Sequence, residues 1–283
     1  MKFSLHTHSP YCDGKSTMDE ICQTAVNKGL QMIGFSGHAP VPFKTKWAMG
    51  FDDLTQYQSD IYNCQKSYEG TLQIYKALEV DYVPGFTVSL NEWRRIVRPD
   101  YLIGSVHLVK GAANDALWFL DGPPENYDKG INEIFGGDYK KAVRAYYHQL
   151  REMIQEGRPE IIGHMDKVVM NNQRRYFDPE ADWHMIEVEK TLRIIKAYGC
   201  IVEINTRGIY RGKYDDFFPS ASIIQKCIEL HIPLTISSDA HHCIELDSGF
   251  EDAAKTMVEL GGKELTVLNK GVWEQISLGD VIS

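Results

Sequence analysis

The sequence predicts an α/β protein whose parallel strands close into a barrel-like sheet. Short β-rich runs alternate with longer helical segments along nearly the whole chain. That β-then-α order implies parallel strands joined by right-handed crossovers. About seven such units within roughly 250 residues suit a barrel better than a small open sheet. A third observation is chemical: almost every β-rich run ends in a histidine, carboxylate, amide or guanidinium.

In order, the strand candidates are KFSL (2–5), QMIGFS (31–36), QIYKALE (73–79), DYLIGSV (100–106), EIIG (160–163), CIVEIN (200–205) and IPLTISS (232–238). Thr17 and Glu20 fit a capping box opening a helix that runs to Lys28, with Gly29 past its end. The next helical segment (52–70) closes on Gly70, and that of 138–157 on Gly157. The segment 178–199 carries Pro179 near its start and closes on Gly199, and Pro219 with Ser220 introduces another helix before His231. There is no repeat beyond this alternation, no low-complexity tract and no linker, so residues 1–283 read as a single domain. The exception to the rhythm is Leu108 to Gly137, rich in Gly, Pro, Asn and Asp, which is expected to be a long loop insertion.

The bulk numbers narrow the function. A hydrophobic content of 43% and a charged content of 24% describe an ordinary globular protein. The net charge of -9 argues against a broad basic face for nucleic acid. No apolar run approaches the roughly 20 residues that span a bilayer, so no membrane partner is expected. The opening residues lack the apolar core and cleavage site of an export signal. The six cysteines are scattered with no C-x-x-C pair, and reduced thiols in a cytoplasmic protein are the expectation.

The strand ends carry the chemistry. The first delivers His6 and His8, with Asp13 in the loop after it; the second His38; the third Glu79 and Asp81; the fourth His107. The fifth delivers His164 and Asp166, the sixth Glu203, Asn205 and Arg207, and the seventh Asp239, His241 and His242. In a parallel barrel these ends converge on one face. Imidazole and carboxylate are the usual ligands of Zn, Fe and Mn. Taken singly, each residue has a bland reading: a lone histidine is more often a satisfied core or surface residue, Asp13 before Gly14 can shape a turn, and Asp239 can cap a helix. The bland reading would have to hold independently at almost every strand end, and clustering charges without a ligand is costly. In an extended strand residues i and i+2 share a face, so His6 and His8 can grip one ion. Glu79 has two oxygens and can bridge two ions, and bridged metals hold a hydroxide that is nucleophilic at neutral pH.

These residues resemble the polymerase and histidinol phosphatase (PHP) family. Its four motifs are matched by HTH with Asp13, by SGH with LEVD, by SVH with GHMD, and by SSDAH, running from His6 to His241. Within the family, ALEVDYVPG, IGSVHLVKG and EINTRGIY look most like the histidinol-phosphate phosphatase branch. The resemblance implies a distorted (βα)7 barrel of the PHP metallo-hydrolase type, and a site of three divalent ions (Zn, Fe or Mn). One ion would take His6, His8, Glu79 and Asp239. A second would share Glu79 and take His107 and His164, and the third Asp13, His38 and His241. Many PHP proteins have histidine where Asp13 stands, which leaves the third ion's identity open. The implied reaction hydrolyses the monoester L-histidinol phosphate, by attack of a metal-bridging hydroxide on phosphorus.

Glu79 and Asp239 are the expected catalytic residues, with Asp239 the first candidate for proton shuttle. Arg207 is the best candidate for a phosphate clamp, because its planar fork suits phosphate oxygens, and Lys167 and Arg175 are weaker ones. A surface salt bridge is the equal alternative for Arg207. Trp118 reads as packing its segment down, or else as covering the imidazole ring of the substrate. His148, His184 and His231 read as structural, and His242 is left out of the metal set. Asp81 and Asp166 could orient histidines or cap the next element. Two alternatives remain: another PHP-type phosphoesterase (a phosphodiesterase or nuclease), and a metal-binding protein without activity.

Overall fold

The computed structural model describes residues 1–111 and 116–282. From the N-terminus, β1 (Phe3–Thr7) leads into α1 (Met18–Asn27), β2 (Met32–Phe35), α2 (Leu54–Ser67), β3 (Gln73–Asp81), α3 (Leu90–Ile96) and β4 (Tyr101–Ser105). A hairpin of β5 (Leu108–Lys110) and β6 (Leu117–Phe119) follows, then α4 (Pro124–Phe135) and α5 (Tyr139–Gly157). The alternation resumes with β7 (Ile161–Ile162), α6 (Asp182–Tyr198), β8 (Ile201–Asn205), α7 (Arg207–Tyr210), α8 (Ala221–Glu229), β9 (Leu234–Ser237) and α9 (Phe250–Glu259). A hairpin of β10 (Glu264–Asn269) and β11 (Val272–Ser277) and a turn of helix, α10 (Gly279–Ile282), complete the described chain.

Among the described residues, seven parallel strands pair in the order β1-β2-β3-β4-β7-β8-β9. The two edges meet: the His8 N–H donates to the Ala240 carbonyl at 2.8 Å and the Ala240 N–H to the His6 carbonyl at 3.1 Å. The sheet is thus a nearly closed, distorted barrel, thinnest at β7, which contributes only two residue pairs to each neighbour. Parallel strands buried on both faces read as continuous apolar runs, and β1 and β8 are buried along their whole length. The helices cover the outside. In α5 the buried positions Ala142, Val143, Tyr146, Tyr147, Leu150, Met153 and Ile154 recur at helical spacing. All seven expected strands form, with no end shifted by more than two residues.

The capping box forms as expected, with Thr17 Oγ1 accepting the Glu20 N–H at 3.2 Å and Glu20 Oε2 accepting the Thr17 N–H at 2.7 Å. Gly157 does not end its helix in the expected way. It stays helical, and Arg158 takes the left-handed conformation at φ 45°. The reason is close approach: a Cβ on Gly157 would stand 2.9 Å from Leu90 Cδ1 of α3.

Residues 108–137 do not remain an irregular insertion. Residues 112–115 of that stretch lie outside the described residues; the rest forms the β5–β6 hairpin and α4. Trp118 is buried, its indole N–H donates to the Tyr127 carbonyl at 3.0 Å, and the ring lies against Gly130, where a Cβ would come within 1.9 Å of Trp118 Cδ1. Gly130, which composition alone reads as loop material, lets α4 sit directly on the indole. The C-terminal hairpin, not foreseen from sequence, turns through Lys270 (φ 49°) and Gly271 (φ 77°) between paired Asn269 and Val272. It docks where β3 and β4 begin, through Gln73 to Asn269 at 3.0 Å and Trp273 against Tyr101, away from the strand ends that bear the polar groups. No described helix is long and apolar enough to cross a membrane.

Candidate metal centre

The C-terminal strand ends and the loop after β1 bring His6, His8, Asp13, His38, Glu79, His107, His164, Asp239 and His241 together. Glu79, near the end of β3, stands at the middle. Its Oε2 lies 3.2 Å from His6 Nε2, 3.6 Å from His8 Nε2 and 3.0 Å from His38 Nδ1. Its Oε1 lies 3.0 Å from His164 Nε2 and 3.7 Å from His107 Nε2. Asp239 Oδ1 lies 3.1 Å from His8 Nε2, 3.4 Å from His241 Nδ1 and 3.8 Å from His6 Nε2. Asp13 Oδ1 is 3.2 Å from His241 Nε2 and 3.7 Å from His8 Nδ1. His164 (φ 24°) and Asp239 (φ 51°) both hold left-handed backbone, a strained conformation for residues with a side chain.

Among the described residues, three sets of ligand atoms lie close enough to share an ion: His8, Asp13, His38 and His241; His6, His8 and Glu79; and His38, Glu79 and His107. The first adds His8 to the expected third set. In the last, His38 accompanies Glu79 and His107, while His164 remains 3.2 Å from His107 between their Nε2 atoms. Hydrogen bonds behind the rings orient them. His6 Nδ1 donates to Glu203 Oε1 at 2.5 Å, and His107 Nδ1 to Asp81 Oδ1 at 2.8 Å. Such bonds fix each ring with Nε2 aimed at the cluster, where an ion can take the place of its proton.

The donor set fits divalent metal. His6 Nε2, His8 Nε2, His38 Nδ1, Asp13 Oδ1 and Asp239 Oδ1 are buried lone-pair atoms with no hydrogen-bond partner, a costly state for polar atoms that a cation relieves. Burial opposes ionisation of Glu79, but His38, His6 and His107 outweigh it and hold the carboxyl well below the usual carboxylate range. Asp239 is held low against burial by His6, His8 and Arg207. Burial, His241 and His38 push His8 down to about 3. Burial works against a charged His107, yet Asp81 and Glu79 push it up to about 9.

The PHP-domain profile matches residues 4–207. The chain belongs to the PHP family. Among curated relatives, the "Probable histidinol-phosphatase" of Deinococcus radiodurans is 28% identical, over 92% of this chain and 94% of that protein. The "Histidinol-phosphatase" of Bacillus subtilis is 25% identical, over 87% of this chain and 96% of that protein. A crystal structure of histidinol phosphate phosphatase from Lactococcus lactis, complexed with zinc, L-histidinol and phosphate, superposes with a TM-score of 0.70 at 19% identity, covering 96% of this chain and 98% of that one. That likeness shows that the PHP fold is shared.

In this PHP barrel a cavity of about 330 Å³ opens onto the cluster. Asp13, His38, Glu79, His107, Asp239 and His241 line it, together with Trp47, Phe119, Asp121, Lys167, Arg207, Lys213 and Phe218. Arg207 reaches the wall from α7, where its guanidinium donates to the Asp239 carbonyl at 2.8 Å and to Tyr210 Oη at 3.1 Å. Lys167 is buried, with Nζ 3.1 Å from Asp121 Oδ2. Arg175 does not join them. It pairs with Asp128 at 2.8 Å and donates to the Asn171 carbonyl at 2.6 Å, outside the cavity lining. Trp118 points into the α4 packing. One residue on, strand alternation turns Phe119 to the cavity.

Asp81 orients His107, whereas Asp166 orients no histidine. It accepts the Ser220 N–H at 3.1 Å where α8 begins, and burial pushes its carboxyl up to about 8. His184 sits in the core against Tyr147 Oη at 2.9 Å, and His148 and His231 are exposed on helix surfaces and ends. His242 is exposed, its ring accepting the Ile244 N–H at 3.4 Å. The sequence places Glu203 among the strand-end groups without a role in the site, and does not point to Trp47, Asp121 or Lys213. Glu203 carried a usable signal as a carboxylate in a strand end; the others lie on loops whose course no local pattern encodes.

Proposed function

We propose that this PHP protein is a phosphatase that hydrolyses L-histidinol phosphate to L-histidinol and phosphate, in histidine biosynthesis. The observation that carries this reading is Glu79, whose two oxygens face five imidazoles at the floor of a cavity walled by Arg207 and Lys167. The names of the curated relatives support the substrate, as does the Lactococcus protein's complex with zinc, L-histidinol and phosphate.

In this scheme His6, His8, Glu79 and Asp239 hold one ion, and Glu79, His107 and His164 a second. Asp13, His38 and His241 hold a third, with Zn, Fe and Mn all suited to these donors. Bound ions supply Lewis acidity toward phosphoryl oxygens and a water acidic enough to attack at neutral pH. The protein's own groups do the rest. Arg207 and Lys167 bind the phosphate dianion, drawing it in despite the net charge of -9. Glu79 keeps both oxygens ionised between the imidazoles. Asp239, ionised at rest and with Oδ2 3.3 Å from Asn205 Nδ2, would take the proton released by the attacking water and pass it to the departing histidinol oxygen. The whole of 1–283 acts as one catalytic domain, and the six thiols, free of disulfides, suit the cytoplasm.

The test is hydrolysis of histidinol phosphate with Mn, Zn and Fe, before and after chelation. Activity that disappears with chelator, returns with metal, and exceeds that on nucleotides and phosphodiesters is the expected result. The reverse preference would overturn the assignment in favour of a phosphodiesterase or nuclease.

A further inference from the structure

We infer that Asp121, with the Phe119 ring beside it in the cavity wall, is a subsite for the cationic leaving group of an aminoalkyl phosphate monoester. This rests on the phosphatase reading above and deepens it, because it assigns the end of the site that reads the alcohol.

Four carboxylates line the cavity among the described residues. Asp13, Glu79 and Asp239 face the histidines; Asp121 alone stands outside that cluster. Its place is built by the fold. The Leu120 N–H donates to the His107 carbonyl at 3.0 Å, so the residue before Asp121 is tied to the backbone of a candidate metal ligand. The β5–β6 pairing of Leu108 with Phe119 anchors the same stretch from the other direction. Asp121 Oδ1 accepts the Gly122 N–H at 3.1 Å and Oδ2 meets Lys167 Nζ at 3.1 Å. Each carboxylate oxygen can accept two hydrogen bonds, so both retain a free position. The side chain is 36% exposed and lines the cavity, so those positions can be reached.

Charge arranges the substrate. Lys167 is buried and feels Asp121, Asp239 and Glu79 together, so it stands within electrostatic reach of both the metal cluster and Asp121. A phosphate bound between Arg207 and Lys167 would put its ester chain within reach of Asp121, whose carboxylate lies 3.1 Å from Lys167 Nζ in the same cavity. There the carboxylate would meet an ammonium a few bonds from phosphorus. Phe119 is an apolar ring left 38% exposed at the same wall. An aromatic face next to a carboxylate suits an organic cation and a flat heteroaromatic ring. Lys167, His107 and Lys213 all act on the Asp121 charge; a merely structural Asp121 would serve only to neutralise these groups, and the two roles separate experimentally.

The experiment compares kcat/KM for L-histidinol phosphate and for its deaminated analogue, 3-(imidazol-4-yl)propyl phosphate, in the metal-loaded wild type, D121N and D121E. The wild type is expected to prefer the amine by about tenfold or more, the scale of a close charge pair in a partly buried site. D121N should bring that ratio close to one, while D121E should retain most of it. If Asp121 acts only through Lys167, both esters slow together in D121N and the ratio survives, which overturns the inference. A wild type with no preference for the amine overturns it without any variant, so a poorly folded D121N does not shield it. A wild type that hydrolyses p-nitrophenyl phosphate but neither imidazole ester overturns the histidinol phosphate reading itself, a result distinct from the other two.

Discussion

His6 donates its Nδ1–H to Glu203 Oε1 at 2.5 Å, while Glu203 Oε2 accepts the backbone N–H of His164 at 2.9 Å. One fully buried carboxylate thereby sets two candidate ligands from different strands. Ser237 Oγ and Asn205 Nδ2 donate to it as well, so all its bonds are accepted ones. An amide in its place would turn a donor against two of these groups. E203Q should therefore weaken metal affinity by about 10- to 100-fold, read as metal retained against a graded chelator. Unchanged retention would show that the carboxylate merely fills space.

Glu79 is the group shared between the candidate metal sets. E79Q removes its charge and one acceptor face while keeping its volume. Phosphatase activity should fall about a hundredfold or more, with lower metal content per chain. Full activity at normal metal content would refute the shared-carboxylate arrangement.

Metal loading should release protons. Without metal, His107 is pushed up to about 9, against burial, by Asp81 and Glu79. Below that pH its Nε2 carries a proton that an ion must displace. Metal affinity should accordingly climb as pH rises toward about 9 and then level off. Calorimetry at pH 7 in buffers of different ionisation enthalpy should report proton release, and its absence would count against His107 as a ligand. The sign for the metal-free fold is opposite. A raised histidine stabilises fully below its ordinary value of 6.5, and that contribution is lost as pH passes about 9.

Trp118 and Phe119 should separate stability from catalysis. W118A empties a buried indole site between Gly130 and Tyr127, and should cost about 3–5 kcal/mol of stability. F119A removes a half-exposed ring and should leave the melting temperature nearly unchanged while raising KM for L-histidinol phosphate. Thermal melts beside steady-state kinetics check both, and the opposite pattern would mean that the indole, not the phenyl ring, faces the substrate.

Much of this was legible in the chain. The seven strands show because buried parallel strands are short apolar runs, and helix starts show because Thr17 and Glu20 satisfy orphan N–H groups locally. The His6–His8 spacing and the polar residues after each strand mark the cluster for the same reason, since strand ends of a parallel barrel share one face. Gly130 and Gly157 were misleading. Both are helical glycines that make room for a neighbour, a role that depends on Trp118 and Leu90 lying across from them. Arg175 carries the right chemistry, but Asp128 claims its guanidinium.

By itself, then, the sequence determined the order of β–α units and which residues stand at the strand ends, because backbone periodicity and capping act over a few neighbouring residues. Only the tertiary structure decided which nitrogen of each histidine faces the cluster, that Glu203 braces two of them, and that Phe119 rather than Trp118 meets the cavity. Those outcomes depend on charges and volumes brought together from far apart in the chain, and no local pattern encodes them.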